Sequence, residues 1–316
     1  MSKGKKPVHE NIAHWDEVAI GHGEAGHISA NWRRLGAAVG AVGVGLSRIQ
    51  IDPGMWSTPA HIHGRAEEIF FVLGGSGLLW QEGANFEIAA TDCFVFPGGM
   101  GPHTLKAGPD GLDVLAFAEN IGDAATYLPR SKVSWLGVSW VETGTVAYPF
   151  ELEAAQGPPE VKESSSLRPS NLVRLKDVKA VGTSKKTIGR IRRDLGRAAG
   201  SRSSGLVHVA VVSGKLSCPP HCHSAEEELF VVLEGEGVLL LGDVEYPVKP
   251  GDLIARPPGT GVAHAFRGAG SGLTLLAYGT RRPTDLCYYP RSNKISFRGL
   301  GVIGRISPLD YWEGEE

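Results

Sequence analysis

Cysteine and methionine are scarce in this chain, with 4 and 3 residues among 316. The cysteines, Cys93, Cys218, Cys222 and Cys287, are unevenly placed, which fits a reducing cytoplasm better than a disulfide framework. Charge of one sign is also lacking: 32 basic against 34 acidic residues leave −2. That balance gives no electrostatic ground for nucleic acid or an anionic membrane as the main partner. Long apolar runs are missing too. The best candidate, Leu35–Leu46 (LGAAVGAVGVGL), falls well short of the roughly twenty residues that a spanning helix needs. Its glycines do not match the dinucleotide-binding pattern GxGxxG, and it reads as a loop leading into a strand. The basic opening, MSKGKKPVHE, has no apolar stretch of the signal-peptide kind.

What the chain does contain is a repeat. HIHGRAEEIF at 61–70 returns as HCHSAEEELF at 221–230, a shift of 160 residues. The same shift aligns Asn11 with Asn171, Gly54 with Gly214, Asp92 with Asp252 and Pro97 with Pro257. The register then moves by one, so that His103 pairs with His264 and Pro129-Arg130-Ser131 with Pro290-Arg291-Ser292. The chain is therefore read as two copies of one domain, residues 1–150 and 171–316. The stretch 151–170, rich in Pro, Ser and Glu, reads as an exposed linker. Within each copy the apolar runs are short, β-branched or aromatic, and punctuated by Gly, Pro and Asp, as in EIFFVLGGSGLLW and LFVVLEGEGVLLL. This pattern predicts an all-β sandwich or barrel.

Residues i and i+2 of a strand share a face, which places His61 beside His63 and His221 beside His223. Glu68 and Glu228 each open the next strand and can present a carboxylate to the paired imidazoles. His103 and His264 follow proline- and glycine-rich turns and can return from a third strand. Three imidazoles and one carboxylate suit a divalent first-row metal, with positions left for water or substrate.

These residues resemble the cupin superfamily, whose first motif reads G(X)5–6HXH(X)3–4E(X)6G. Gly54, His61, His63, Glu68 and Gly75 match it, as do Gly214, His221, His223, Glu228 and Gly235. The second motif, G(X)5PXG(X)2–4H, is matched by Gly251, Pro257, Gly259 and His264. In the first copy Pro97, Gly99 and His103 match, while Thr91 replaces the opening glycine and the turn before His103 is one residue shorter. The resemblance implies two tandem double-stranded β-helix (jelly-roll-like) barrels, a bicupin. It also implies one iron, manganese, nickel, copper or zinc ion in each, held by three histidines and a glutamate. Spacing to the following glycine puts Glu68 and Glu228, not Glu67 and Glu227, on the ligand position. The tails LPRSK and YPRSNK are similar to those of bacterial bicupins carrying YPxSxK.

Cupins perform many reactions, and the residues leave several open. A dioxygenase-like oxygenase acting on a small chelating organic substrate is favoured; a Lewis-acid sugar or sugar-phosphate isomerase or epimerase and a non-catalytic binding protein are the alternatives. The oxalate-decarboxylase pattern, with tryptophan between the motif histidines, is absent, since Ile62 and Cys222 stand there. Arg48 and His208 are equivalent and precede the metal motif; facing inward, they would bind an anion or move a proton. Arg256, opposite Phe96 in the repeat, is a third catalytic candidate. Cys222 is expected to point away from the histidines, and SKKTIGRIRR at 184–193 to form a solvated face. A homodimer through an exposed sheet edge is also expected.

Overall fold

The computed structural model describes residues 9–120, 125–135, 140–142, 145–146 and 149–315. The protein is all-β, two barrels in tandem. In the first, the long strands Glu68–Gln81 and His103–Glu119 run antiparallel, flanked by Asp92–Phe96 on one side and by Val44–Ile51 and Ile28–Arg34 on the other. The second repeats this order with Glu228–Leu241, His264–Thr280, Asp252–Arg256, Ser204–Val211 and Gly189–Asp194. No helix among the described residues is long and apolar enough to cross a membrane. The motif glycines are required by close packing. At Gly75 and Gly235 φ is +77° and +76°, and a Cβ would meet a neighbouring carbonyl oxygen at 2.3 and 2.1 Å.

Strand alternation gives each sheet two buried faces. Phe70 and Val72 fill the first barrel's interior, whereas Ile69 and Phe71 point into a second core shared by both barrels. From the other copy, Leu229, Val231 and Tyr278 enter that shared core, where the rings of Phe117 and Tyr278 meet at 5.1 Å. A fully buried side chain of this size is worth about 1.5–3 kcal/mol, so the shared core binds the barrels into one packed body. The segment Leu35–Leu46 belongs here as well. Rather than a plain loop, it opens with a one-turn helix, Leu35–Ala38, and buries Leu35, Val39, Val44 and Leu46 in the shared core. Gly36 packs so tightly that a Cβ would lie 2.9 Å from the Leu46 nitrogen.

The barrels also exchange strands. Ile12–His14 pairs with Asp252–Arg256 of the second barrel, and Leu172–Arg174 pairs with Asp92–Phe96 of the first. Because the exchange is itself repeated, we infer that 1–150 and 171–316 are the duplicated units even though their sheets interlock. The stretch 151–170 is not simply exposed. It continues a helix, Pro149–Ala155, that buries Glu153 against Arg130 at 2.9 Å, and its Arg168 pairs with Asp92.

Glu67 and Glu227 point away from their own barrel interiors, as alternation requires, yet both are buried, 1% and 2% exposed. The reason is a crossing contact. Glu67 accepts hydrogen bonds from Ser201 Oγ at 2.7 Å, Arg202 N at 2.7 Å, Ser204 N at 3.1 Å and Ser204 Oγ at 2.6 Å. Glu227 accepts from Val42 N at 2.9 Å and Gly43 N at 2.5 Å. Neither glutamate orients a histidine of the repeat motif; each fastens a loop of the opposite barrel.

Candidate metal centres

The second histidine of each HxH pair lies on a short strand, Ile62–His63 or Cys222–His223, and the first histidine directly precedes it. The glutamate begins the neighbouring long strand, and the last histidine begins the strand antiparallel to it. Backbone bridges His61↔His103 and His221↔His264 close the arrangement. In the first barrel Glu68 Oε2 lies 3.4, 3.2 and 3.1 Å from the Nε2 atoms of His61, His63 and His103. In the second, Glu228 Oε2 lies 4.0, 3.5 and 2.9 Å from those of His221, His223 and His264. The structure thus brings together all eight of the expected ligand residues, four in each barrel.

The outer nitrogens fix which atom faces inward. His61 Nδ1 and His221 Nδ1 donate to the carbonyls of Pro59 and Pro219 at 2.9 and 3.0 Å, leaving Nε2 with a free lone pair. Burial drives His103 and His264 down to about 4, so both are neutral imidazoles, the form that ligates. Burial alone would raise Glu68 and Glu228, but the surrounding histidines overcome it and hold both well below the carboxylate range. His221 moves the other way: burial lowers it, but the Cys218 hydrogen bond and nearby negative charge carry it up to about 9, so that ion binding there must first displace the Nε2 proton.

A divalent ion fits these residues. In the second barrel His223 Nε2, His264 Nε2 and Glu228 Oε2 are buried without a hydrogen-bond partner despite their proximity. Buried polar atoms that converge unsatisfied are costly unless something else satisfies them, and a cation accepts all their lone pairs at once. The same donors form close-set groups in both barrels: His61, Glu68 and His103; His221, Glu228 and His264.

The catalytic candidates fare differently. Arg48 turns away from its quartet, forked onto Asp113 at 2.6–3.2 Å and stacked 4.3 Å over Trp15. His208, beside Arg193, likewise lies on the outer face, because Val209 and Val211 take the interior positions of that strand. Neither reaches the reacting space. Arg256 does face inward, directly across from Glu228 in the sheet, but its guanidinium is committed to Thr260 Oγ1 and the Val262 carbonyl. In the first copy Phe96 stands there, stacked on His103 at 3.6 Å and 4°. Cys222 is buried away from the quartet, and all four cysteines are free.

Several residues were not singled out by the sequence reading. Asp285, fully buried, accepts from His223 Nδ1 at 2.7 Å and from the backbone of Ala225 and Glu226. Burial raises its carboxyl, but these donors prevail and bring it down to about 2. In the first barrel Thr126 takes the corresponding role, 3.0 Å from His63 Nδ1. Tyr289 stacks beside His221 at 5.8 Å, and Cys287 approaches His221 and His223. The basic run is only partly a solvated face: Ile191 points out, while Arg190 and Arg192 line the cavity above the second quartet. That cavity is about 580 Å³. The first quartet opens through His61 and His63 onto about 330 Å³ lined by Leu128, Trp135 and Phe150.

A family profile described as a cupin domain matches residues 47–115 and again 207–277. The chain carries two cupin domains in tandem. Solved bicupin structures agree on the fold. Oxalate decarboxylase from Lactobacillus farciminis, in a formate complex, superposes with a TM-score of 0.57 at 14% identity, covering 89% of each chain. A Bacillus subtilis oxalate decarboxylase deletion mutant gives 0.57 at 13%, covering 87% of this chain and 78% of its own. A protein provisionally named a sugar phosphate isomerase, from Acidithiobacillus ferrooxidans, is 32% identical over 39% of this chain and 82% of its own, with a TM-score of 0.36. No protein of curated function matches in sequence.

Proposed function

We propose that this bicupin is a metal-dependent oxygenase that acts on a small organic substrate able to chelate the ion. The carrying observation is the convergence of three imidazole nitrogens and one carboxylate oxygen, partly orphaned, at the floor of an open cavity. The quartets would hold a redox-active first-row ion, which would supply redox chemistry toward dioxygen and Lewis acidity toward the substrate. The protein's own contribution is placement and dryness. Nδ1 hydrogen bonds at His61, His63, His221 and His223 hold the ligand rings in orientation, and Phe96 and Phe230 shield His103 and His264 from water. Isomerisation would further require a base at the cavity. Among the described residues the expected one, His208, lies outside it, and of the carboxylates that line it Glu226 is ion-paired with Arg298 and Asp194 with Arg197 and Arg281; this favours the oxygenase. A cytoplasmic setting suits the four free thiols, and a homodimer through the exposed edge at Val181 is part of the same reading.

The test is to purify the protein without chelator, determine its metal, and follow oxygen uptake with small diketones and catechols. Iron, manganese, nickel or copper with oxygen consumed in step with substrate is expected. Undiminished turnover of a substrate under anaerobic conditions with zinc would refute the oxygenase. A second expectation concerns Asp285. Asp285→Asn weakens the charged partner that orients His223, and metal affinity of the second site should fall about 10–100-fold. Chelator competition measures this, and affinity unchanged within twofold would deny Asp285 that role.

A further inference from the structure

Duplication makes each interior position of one barrel comparable with its counterpart in the other. On the strand paired with Val44–Ile51, Ala30 and Trp32 face the first interior; the 160-residue shift puts Arg190 and Arg192, on the strand paired with Ser204–Val211, there in the second. Trp32 packs edge-on against Phe150 at 6.1 Å. An apolar wall in one copy has become a cationic one in the other.

Among the described residues the two arginines have no carboxylate of their own. Around the cavity Asp194 is within 3.9 Å of Arg197 and 3.7 Å of Arg281, Glu226 is paired with Arg298, and Glu228 is surrounded by imidazoles. Among the described residues neither Arg190 nor Arg192 forms an ion pair. Arg190 Nε is buried without a hydrogen-bond partner, and burial together with Arg192 lowers the guanidinium's basicity. A half-buried, unpaired guanidinium is costly, and an entering anion offsets that cost with forked, charge-assisted hydrogen bonds. The cavity that Arg190 and Arg192 share with the second quartet adjoins another of about 710 Å³, lined also by Arg174 and Lys179.

From this we infer that the second barrel takes an anionic substrate, carrying a carboxylate or phosphate that Arg190 and Arg192 hold, while the first barrel takes none. This deepens the reading of the second quartet as a reaction centre. The anion anchors one end, and the 580 Å³ cavity leaves room for the rest of a small molecule to reach the histidines.

The experiment titrates inorganic phosphate and, separately, malonate into the full-length protein at low ionic strength, before and after chelator treatment, with metal content assayed in parallel. One anion per chain is expected. Arg190→Gln/Arg192→Gln should weaken it at least about tenfold. Arg190→Lys/Arg192→Lys, which keeps charge but loses the fork, should give a smaller loss. Arg193→Gln removes one positive charge from the outer face of the same strand and should leave binding unchanged. Preference for phosphate or for malonate identifies the anionic group. Binding that depends on Arg190 and Arg192 in metal-free protein upholds the anion site even if the metal reading fails. Metal-loaded protein that binds neither anion overturns it, as does equal weakening by Arg193→Gln or an intact affinity in both double variants.

Discussion

Replacing His221 and His223 together with alanine is expected to lower bound metal from about two equivalents per chain to about one. The remaining donors, His264 and Glu228, are one imidazole and one carboxylate 2.9 Å apart, too few to retain a first-row ion against a chelator. Because the first quartet is built from separate strands, its equivalent should stay. Stability should follow the metal. An ion present at about a thousandfold its dissociation constant stabilises the folded state by about 4 kcal/mol. Chelation should therefore lower the melting temperature of the wild-type protein more than that of the double variant. Elemental analysis and paired thermal melts measure both effects. Two equivalents persisting in the variant would place the metal elsewhere; none in the wild type, with none recovered on adding these ions, would remove the metal centre altogether.

The quartets were legible in the sequence because their information is local. HxH plus glutamate lies within eight residues, and the second copy repeats it with different neighbours, so the shared residues stand out. Arg48 and His208 were less legible for a physical reason. Their strands bury both faces, one in a barrel interior and one in the shared core, so hydrophobic alternation carries no sign of which side is inward. In Val44–Ile51 the side chains of Val44 and Leu46 enter the shared core while Ile49 and Ile51 enter the barrel. Arg48 has the parity of the former pair. Asp285 was hidden by distance, 62 residues from the histidine it orients and outside either motif. Arg190 and Arg192 became conspicuous only once Ala30 and Trp32 were known to be interior. The strand exchange at Ile12–His14 and Leu172–Arg174 leaves no local mark, since either strand would read the same in its own barrel.

That interlocking gives Glu67 the largest expected effect on stability. Its carboxylate is the acceptor for two hydroxyls and two backbone N–H groups of the opposite barrel, at a junction where Ser204 is fully buried. Glu67→Ala removes that acceptor from all four donors at once. Each buried donor left unsatisfied costs about 1–3 kcal/mol, partly relieved here because Ser201 Oγ also donates to the Ser204 carbonyl. The net loss should be about 3–5 kcal/mol, as for other broken buried charge networks. Glu67→Gln should fall between wild type and alanine. Its amide oxygen can keep the three bonds made to Oε1, but the amide nitrogen then faces the Arg202 N–H, donor against donor. Glu227→Ala, which loses two acceptor bonds, should cost less than Glu67→Ala. Metal content should be unchanged in all three, because these carboxylates point away from the quartets. Denaturant unfolding with elemental analysis separates the outcomes. Alanine at 67 within about 1 kcal/mol of wild type would mean that the barrels are held by the shared apolar core alone. Loss of metal in a folded Glu67 variant would mean that the contact between barrels also supports the first centre through the adjacent Glu68.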